Sequence, residues 1–207
     1  MWKQIISRQK KQTQIVSTLI PTVIDKVGNQ ERAYDIYSRL LEDRVIFLWE
    51  WIDSNVANTI IAQLLFLEKA DSKTAITMYV NSPGWHVTAW LAIYDTMQHI
   101  KCPVSTVAVW LAASMGSIIL AGGERGMRYA LPHAEIMIHQ PLWGAEWQAT
   151  DIMLAARHIE QTWKTLYKIL SQHTWQDLEK IEKDCDRDNF MSAEDALKYW
   201  LIDKIIR

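Results

Sequence analysis

Three short apolar runs rich in β-branched residues mark the first half of the chain: Val45–Leu48, Ile76–Val80 and Val104–Val109. Runs this short, without alternation, predict strands buried on both faces. Between them lie helix-length stretches with apolar residues three and four apart. Ile60, Ile61, Leu64, Leu65 and Leu67 form one such face, and Leu91, Ile93, Tyr94 and Met97 form another. Asp53 or Ser54 is placed to cap the first helix and Thr88 the second. Strand–helix–strand alternation calls for parallel strands joined by crossover helices, hence an α/β domain.

The second half continues the pattern. Pro103 precedes the third strand, where its missing N–H costs little. Ala112–Gly122 reads as a short apolar helix, followed by strands at Met127–Leu131 and Glu135–Gln140. After a loop at Leu142–Ala149 comes the longest helical pattern, Thr150–His173. Its face is Ile152, Ala155, Ala156, Ile159, Trp163, Leu166, Ile169 and Leu170. A long helix entered from a loop after the sheet is complete predicts a projecting arm suited to subunit contacts. Helices at about 176–184 and 193–199 follow, the second capped by Ser192 with Asp195 at its third position.

Composition narrows the functional classes. The 207 residues suit one domain of ordinary polarity, 49% hydrophobic and 22% charged. A net charge of −2 argues against a general nucleic-acid binder. No stretch reaches the roughly 18 apolar residues of a membrane span, so neither nucleic acid nor membrane is an expected partner. Lys3, Arg8, Lys10 and Lys11 have no acidic residue among the first 24 to balance them, which sets the N-terminus apart. Cys102 and Cys185 show no zinc or C-x-x-C spacing and fit idle thiols in a reducing, cytoplasmic compartment.

Four places carry candidate chemistry. Ser114 lies where a strand gives way to a helix, among Ala112, Ala113 and Gly116; small neighbours permit a sharp turn, and helix N–H groups stand ready for an oxyanion. His139 ends a strand, where a general base can reach a cleft. Asp188 lies in a polar loop, where a carboxylate can orient a histidine. Each has a plainer reading: a helix cap, a strand-edge histidine and a solvated charge, and on their own residues these prevail. The turn Asn81-Ser-Pro-Gly-Trp85 calls for an unusual backbone at Gly84, and Ser82 serves that turn better than it serves as a nucleophile. His133, Glu135, Met137 and His139 share a strand face, but the two histidines stand about 20 Å apart, too far to hold one metal ion.

In combination the motifs are far more specific. Asp35-Ile-Tyr-Ser-Arg-Leu-Leu, Val45-Ile-Phe-Leu, Asn81-Ser-Pro-Gly, Ile93-Tyr-Asp-Thr-Met, Ala112-Ala-Ser-Met-Gly, Met137-Ile-His-Gln-Pro and Arg187-Asp-Asn-Phe-Met-Ser-Ala closely resemble the Clp protease proteolytic subunit. The resemblance runs in order from about Pro21 to Ile206. It implies a crotonase-like α/β fold with a handle at about 142–173, and Ser114, His139 and Asp188 as nucleophile, base and orienting acid. It implies an oxyanion hole from the N–H groups of Trp85 and Met115, and substrate pairing as a strand near Trp85–Val87 and Leu142–Gly144. Two stacked seven-membered rings of the same chain would enclose the sites. A partner AAA+ unfoldase, which consumes the ATP, would feed in unfolded polypeptide, so this subunit needs no cofactor. Residues 1–17 would be a removable leader, 18–34 an axial pore segment and 35–207 the catalytic domain. Tyr79, Val107, Tyr129, Leu131 and Ile206 suit the apolar docking pockets, whereas Thr77 and His99 are more polar than the family leads one to expect.

The departure lies in tryptophan. Glycine numbers 7 and tryptophan 11, against a usual glycine share of about 7%. At Trp85, Trp90, Trp110, Trp143, Trp147, Trp175 and Trp200 the family's pattern has glycine, and Trp49 and Trp51 stand in a turn where glycine is common. Forcing a large ring into each site would cost about 1–3 kcal/mol, and nine such sites would exceed a domain stability of about 5–15 kcal/mol. A reassigned UGA codon, read as glycine in some bacterial lineages and as tryptophan in others, would account for many of them. A non-catalytic ring subunit is the alternative to a peptidase, favoured by a genuine Trp85 beside the reacting bond. An acyl-CoA enzyme of crotonase type ranks third, because that chemistry favours carboxylates and a CoA cleft.

Overall fold

The computed structural model describes residues 19–27, 30–140 and 148–207, and divides the chain into units 1–39 and 40–207. The leader assigned to 1–17 therefore lies outside the described residues. In the first unit, β1 (Thr22–Val27) pairs antiparallel with β2 (Gln30–Asp35). Asp35 then accepts the Ser38 N–H at 2.9 Å and starts α1 (Ile36–Glu42). Arg39 pairs with Asp25 of the hairpin at 2.7 Å. The apolar periodicity did not predict this hairpin, whose strands carry mostly polar or exposed residues.

The larger unit has the expected α/β architecture. Along the chain run β3 (Val45–Ile52), α2 (Ser54–Ala70), β4 (Ile76–Trp85), α3 (Val87–His99), β5 (Val104–Ala113), α4 (Met115–Ala121), β6 (Arg128–Ala130) and β7 (Glu135–Ile138). Then follow α5 (Ala149–Thr174), α6 (Leu178–Asp184), β8 (Asn189–Ser192), α7 (Ala193–Lys198) and β9 (Lys204–Ile205). The sheet order is β3-β4-β5-β6-β9, all parallel. β5 pairs with β6 through Thr106–Ala108, and its last residues pair parallel with β7. β7 in turn takes β8 antiparallel.

Several boundaries shift for physical reasons. β5 runs on to Ala113 because Ala112 and Ala113 pair with Ile136 and Met137, so the helix expected from Ala112 begins at Met115. β4 does not turn away at Asn81 but continues to Trp85, with a register shift between Val80 and Ser82. Asp53 caps α2, its Oδ1 accepting the N–H groups of Asn55 and Val56. Thr88 does not cap α3; the capping position is His86, without a side-chain bond. Ser192 caps α7 and bonds Asp195 as expected.

The core lies between the sheet and its helices. α2 buries Ala57, Ile60, Leu64 and Leu67, and α3 buries Ala89, Trp90, Ile93, Tyr94 and Met97. Leu65 lies outward instead, 46% exposed. Along α5 no residue before Leu166 is buried, and Ile152, Met153 and Leu154 are exposed. Half of that helix thus presents an unpacked apolar stripe, as an arm for subunit contacts would. Cys102 and Cys185 are buried free thiols, and burial, helped by Asp184, pushes Cys185 up to about 12.

One polar lock joins elements distant in sequence. Arg128 of β6 is buried and makes a forked pair with Asp203, Nε to Oδ2 at 2.9 Å and Nη2 to Oδ1 at 2.6 Å. Its Nη1 also donates to the His173 carbonyl at the end of α5 at 2.9 Å. The N–H groups of Gly126 and Arg128 complete the shell of the carboxylate. Burial alone would raise the carboxyl of Asp203, but the bonds and charge of Arg128 outweigh it and hold it below its ordinary 3.8. Asp203→Asn leaves a buried guanidinium short of its counter-charge and is expected to cost about 3 kcal/mol at neutral pH. A folded-state carboxyl held low stabilises above its unfolded value and loses that contribution as pH falls through the folded value. The stability gap between wild type and Asp203→Asn should therefore close below about pH 4, as read by urea denaturation across pH; a gap that persists unchanged in acid contradicts the lock.

Candidate active site

Strand register assembles the site. Ala113 of β5 pairs with Met137 of β7, and the Ser114 N–H donates to the Met137 carbonyl at 2.9 Å. Ile138 of β7 pairs with Asn189 of β8. Ser114 is thus one residue beyond β5, His139 one beyond β7 and Asp188 one before β8, at adjacent ends of neighbouring strands. The carboxyl ends of parallel strands are where α/β sheets open their clefts.

Ser114 stands at the first helical boundary with φ 55 and ψ −121, and its hydroxyl makes no capping bond. The simple helix-cap reading therefore fails. Its Oγ lies 2.9 Å from His139 Nε2, and His139 Nδ1 lies 2.8 Å from Asp188 Oδ1. An ionised carboxylate only accepts, so Nδ1 carries the proton and Nε2 is left to accept from the Ser114 hydroxyl. The His139 side chain is 12% exposed and that of Asp188 60%. Neither plainer reading holds: the strand-end histidine bridges both partners, and the loop carboxylate has a specific one. Such a chain can draw a proton from a hydroxyl as it attacks an acyl carbon.

The backbone beside Ser114 is tightly fitted. Gly84 has φ +95, and a Cβ there would stand 2.8 Å from the Ser114 Cβ and 3.0 Å from the Met115 nitrogen. A residue with a side chain would have to displace the serine. Gly116 approaches the Ser82 carbonyl as closely, at 3.0 Å from an added Cβ. The Ser82 hydroxyl accepts the Gly84 N–H at 3.1 Å inside β4, in place of the strand-ending turn expected there. Met115 opens α4, where first-turn N–H groups lack helical acceptors. Trp85 ends β4 at φ 138, its ring 58% exposed and edge-on to Trp51 at 4.5 Å.

Val87 is the first residue of α3 rather than part of a strand, and it borders a small pocket beside Ser114 with Ile118, Ile138, Leu166, Tyr167 and Leu170. Sequence reasoning missed that pocket, because its residues carry only the periodicity of core helices and strands. Burial pushes Tyr167 up to about 12, so its hydroxyl stays protonated. Leu142 and Gly144 lie outside the described residues. A wider polar cleft of about 250 Å³, bordered by Lys101, Arg125, Arg128, His173 and Trp175, contains none of the three relay residues.

Tyr79, Val107 and Tyr129 stand in register on β4, β5 and β6, and Phe47 of β3 extends the row, stacked on Tyr79 at 5.7 Å. Leu131 and Ile206 join its far side through N–H bonds to the carbonyls of Ala108 and Ala130. Val107 is buried and the other members of the row are half-buried. Thr77 sits two residues earlier on β4, and His99 ends α3, off this row.

Gly84→Ala is expected to cost about 2–4 kcal/mol through backbone strain and collision with Ser114. Gly126→Ala, at φ +83 with nothing within 4 Å of the added Cβ, should cost about 1–2 kcal/mol, the conformational part alone. Equal losses in denaturant titrations would contradict the close approach at Gly84. Among families of known proteins, residues 28–207 match the model described as Clp protease.

Proposed function

The chain belongs to the Clp protease family, and on that premise we propose that it is a serine endopeptidase with Ser114 as nucleophile. The observation that carries this reading is the hydrogen-bond chain Ser114–His139–Asp188, at 2.9 and 2.8 Å, on a serine held at positive φ. Ser114 Oγ attacks the peptide carbonyl while His139 Nε2 takes its proton. The N–H groups of residue 85 and Met115 receive the oxyanion. His139 then protonates the leaving amine, and a water molecule, deprotonated by the same imidazole, releases the acyl group. Asp188 keeps the proton on Nδ1 and steadies the imidazolium.

Val87, Ile118 and Leu170 offer apolar surface beside Ser114 to the side chain next to the cleaved bond. Main-chain pairing near residues 85–87 and at Leu142 and Gly144 holds an extended polypeptide with little sequence preference. The wider proposal is the proteolytic core of an ATP-dependent assembly in the cytoplasm. Two stacked heptameric rings of this chain enclose the sites, the half-exposed α5 lies between rings, and unfolded protein arrives from an AAA+ unfoldase. The unfoldase docks on the row of Tyr79, Val107, Tyr129, Leu131 and Ile206, and ATP is consumed there, so this subunit carries no cofactor. No helix among the described residues is long and apolar enough to cross a membrane. The exposed ring of Trp85 beside Ser114 is what would favour the second reading, a silent ring subunit.

A fluorophosphonate probe should label wild type at Ser114 and leave Ser114→Ala unlabelled. An assembled ring with no labelling favours the silent subunit. Asp188→Asn should lower kcat for an unfolded protein substrate by about 10²–10³, short of the roughly 10⁴ of a buried carboxylate, because water screens this exposed one.

A further inference from the structure

Among the described residues, five other than glycine have positive φ: Arg44, Trp85, Ser114, Trp175 and Trp200. Tryptophan is 11 of 207 residues yet supplies three of the five. A bulky side chain at positive φ meets the neighbouring carbonyl, and such backbones are ordinarily left to glycine. The one at Ser114 belongs to the candidate nucleophile. At the three tryptophans the indoles meet only ring and cation contacts at the surface.

Each of the three sits where chain geometry asks for glycine. Trp200 follows α7 at φ 69; its N–H donates to the Leu197 carbonyl and the next N–H, of Leu201, reaches back to Ala196. Those paired bonds are the Schellman ending, whose left-handed residue is most often glycine. Trp175 closes α5 at φ 54 and ψ 19, its N–H donating to Ser171 at 2.8 Å, the simpler left-handed ending. Trp85, at φ 138, lies beyond even the left-handed helical well at about +50 to +70°. It directly follows Gly84, also at positive φ.

The side chains add little in return. Trp85, Trp175 and Trp200 are 58%, 56% and 49% exposed, although tryptophan is highly buried on average. Their contacts are largely with one another and with surface groups: Trp85 on Trp51, Trp175 on Trp200 at 5.5 Å, and the Arg125 guanidinium over Trp175. We infer that positions 85, 175 and 200 are glycine in the protein its own cell makes, the tryptophans arising where a codon with two meanings is read by the wrong table. At position 85 the change also clears the rim of the cleft. Bare backbone then runs through 84 and 85 beside Ser114, where a substrate strand would lie. That consequence rests on Ser114 being the nucleophile; the backbone preference does not.

Two measurements test the inference. Tryptic peptides of the protein isolated from its source cells, residues 74–101, 169–180 and 199–204, should carry glycine masses at the three positions; tryptophan masses overturn it. In the purified chain, Trp85→Gly, Trp175→Gly and Trp200→Gly together should raise Tm by at least about 5 °C, while alanine at the same positions should not, since alanine removes the ring but keeps the strained φ. Equal Tm for the glycine and alanine triple variants overturns the backbone explanation. Fluorophosphonate labelling, followed in parallel, should quicken in Trp85→Gly. A chain stabilised by the glycines yet unlabelled by the probe would sink the peptidase reading alone.

Discussion

The site depends on one close approach, that of the Gly84 backbone to Ser114. β4 and β5 are parallel neighbours, and their ends converge until no Cβ fits between them. This contact lets β5 stop at Ala113 and reverse into α4 through a serine at φ 55. Strain at that serine is the cost of turning its hydroxyl away from its own helix and towards His139. Gly116 repeats the constraint two residues later, against the Ser82 carbonyl. A reactive hydroxyl at a sharp strand-to-helix turn therefore needs small residues on two strands, not only around itself.

The rest of the relay follows from register. β7 adds to the far end of β5, and β8 folds back on β7, the antiparallel member of an otherwise parallel sheet. That reversal brings a residue 49 positions along the chain opposite His139. Because β8 is antiparallel, its start rather than its end lies at the cleft, which is why the acid precedes its strand while serine and histidine follow theirs. The Arg128–Asp203 lock works where β6 and β9 begin, at the opposite strand ends from the site, tying both to the end of α5. It joins pieces that the hydrophobic pattern alone leaves unconnected.

Much of the fold was legible. The apolar runs at Val45, Ile76 and Val104 became central strands because buried parallel strands have a distinctive composition. The faces of α2 and α3 matched in most positions, Leu65 being the clear exception. The hairpin of β1 and β2 was not legible, since its residues are mostly polar or exposed and its pairing is with itself. α5 was legible in length but not in burial: its apolar spacing runs from Ile152 to Leu170, yet burial begins only at Leu166.

The amino-acid sequence by itself determined the element types, the α/β class and, through motifs kept in order along most of the chain, the identity of Ser114, His139 and Asp188 as candidates. Periodicity and turn chemistry are local properties, readable in windows of a few residues. Only the tertiary structure decided between a capping serine and one bonded to histidine, because that choice turns on a φ value and on which strands end side by side. It decided likewise where glycine is demanded. Trp85, Trp175 and Trp200 sit at positive φ, whereas among the other described tryptophans Trp90 is helical and buried and Trp110 lies in an ordinary strand. Backbone conformation is set by what the chain must do next, and a list of side chains does not contain it.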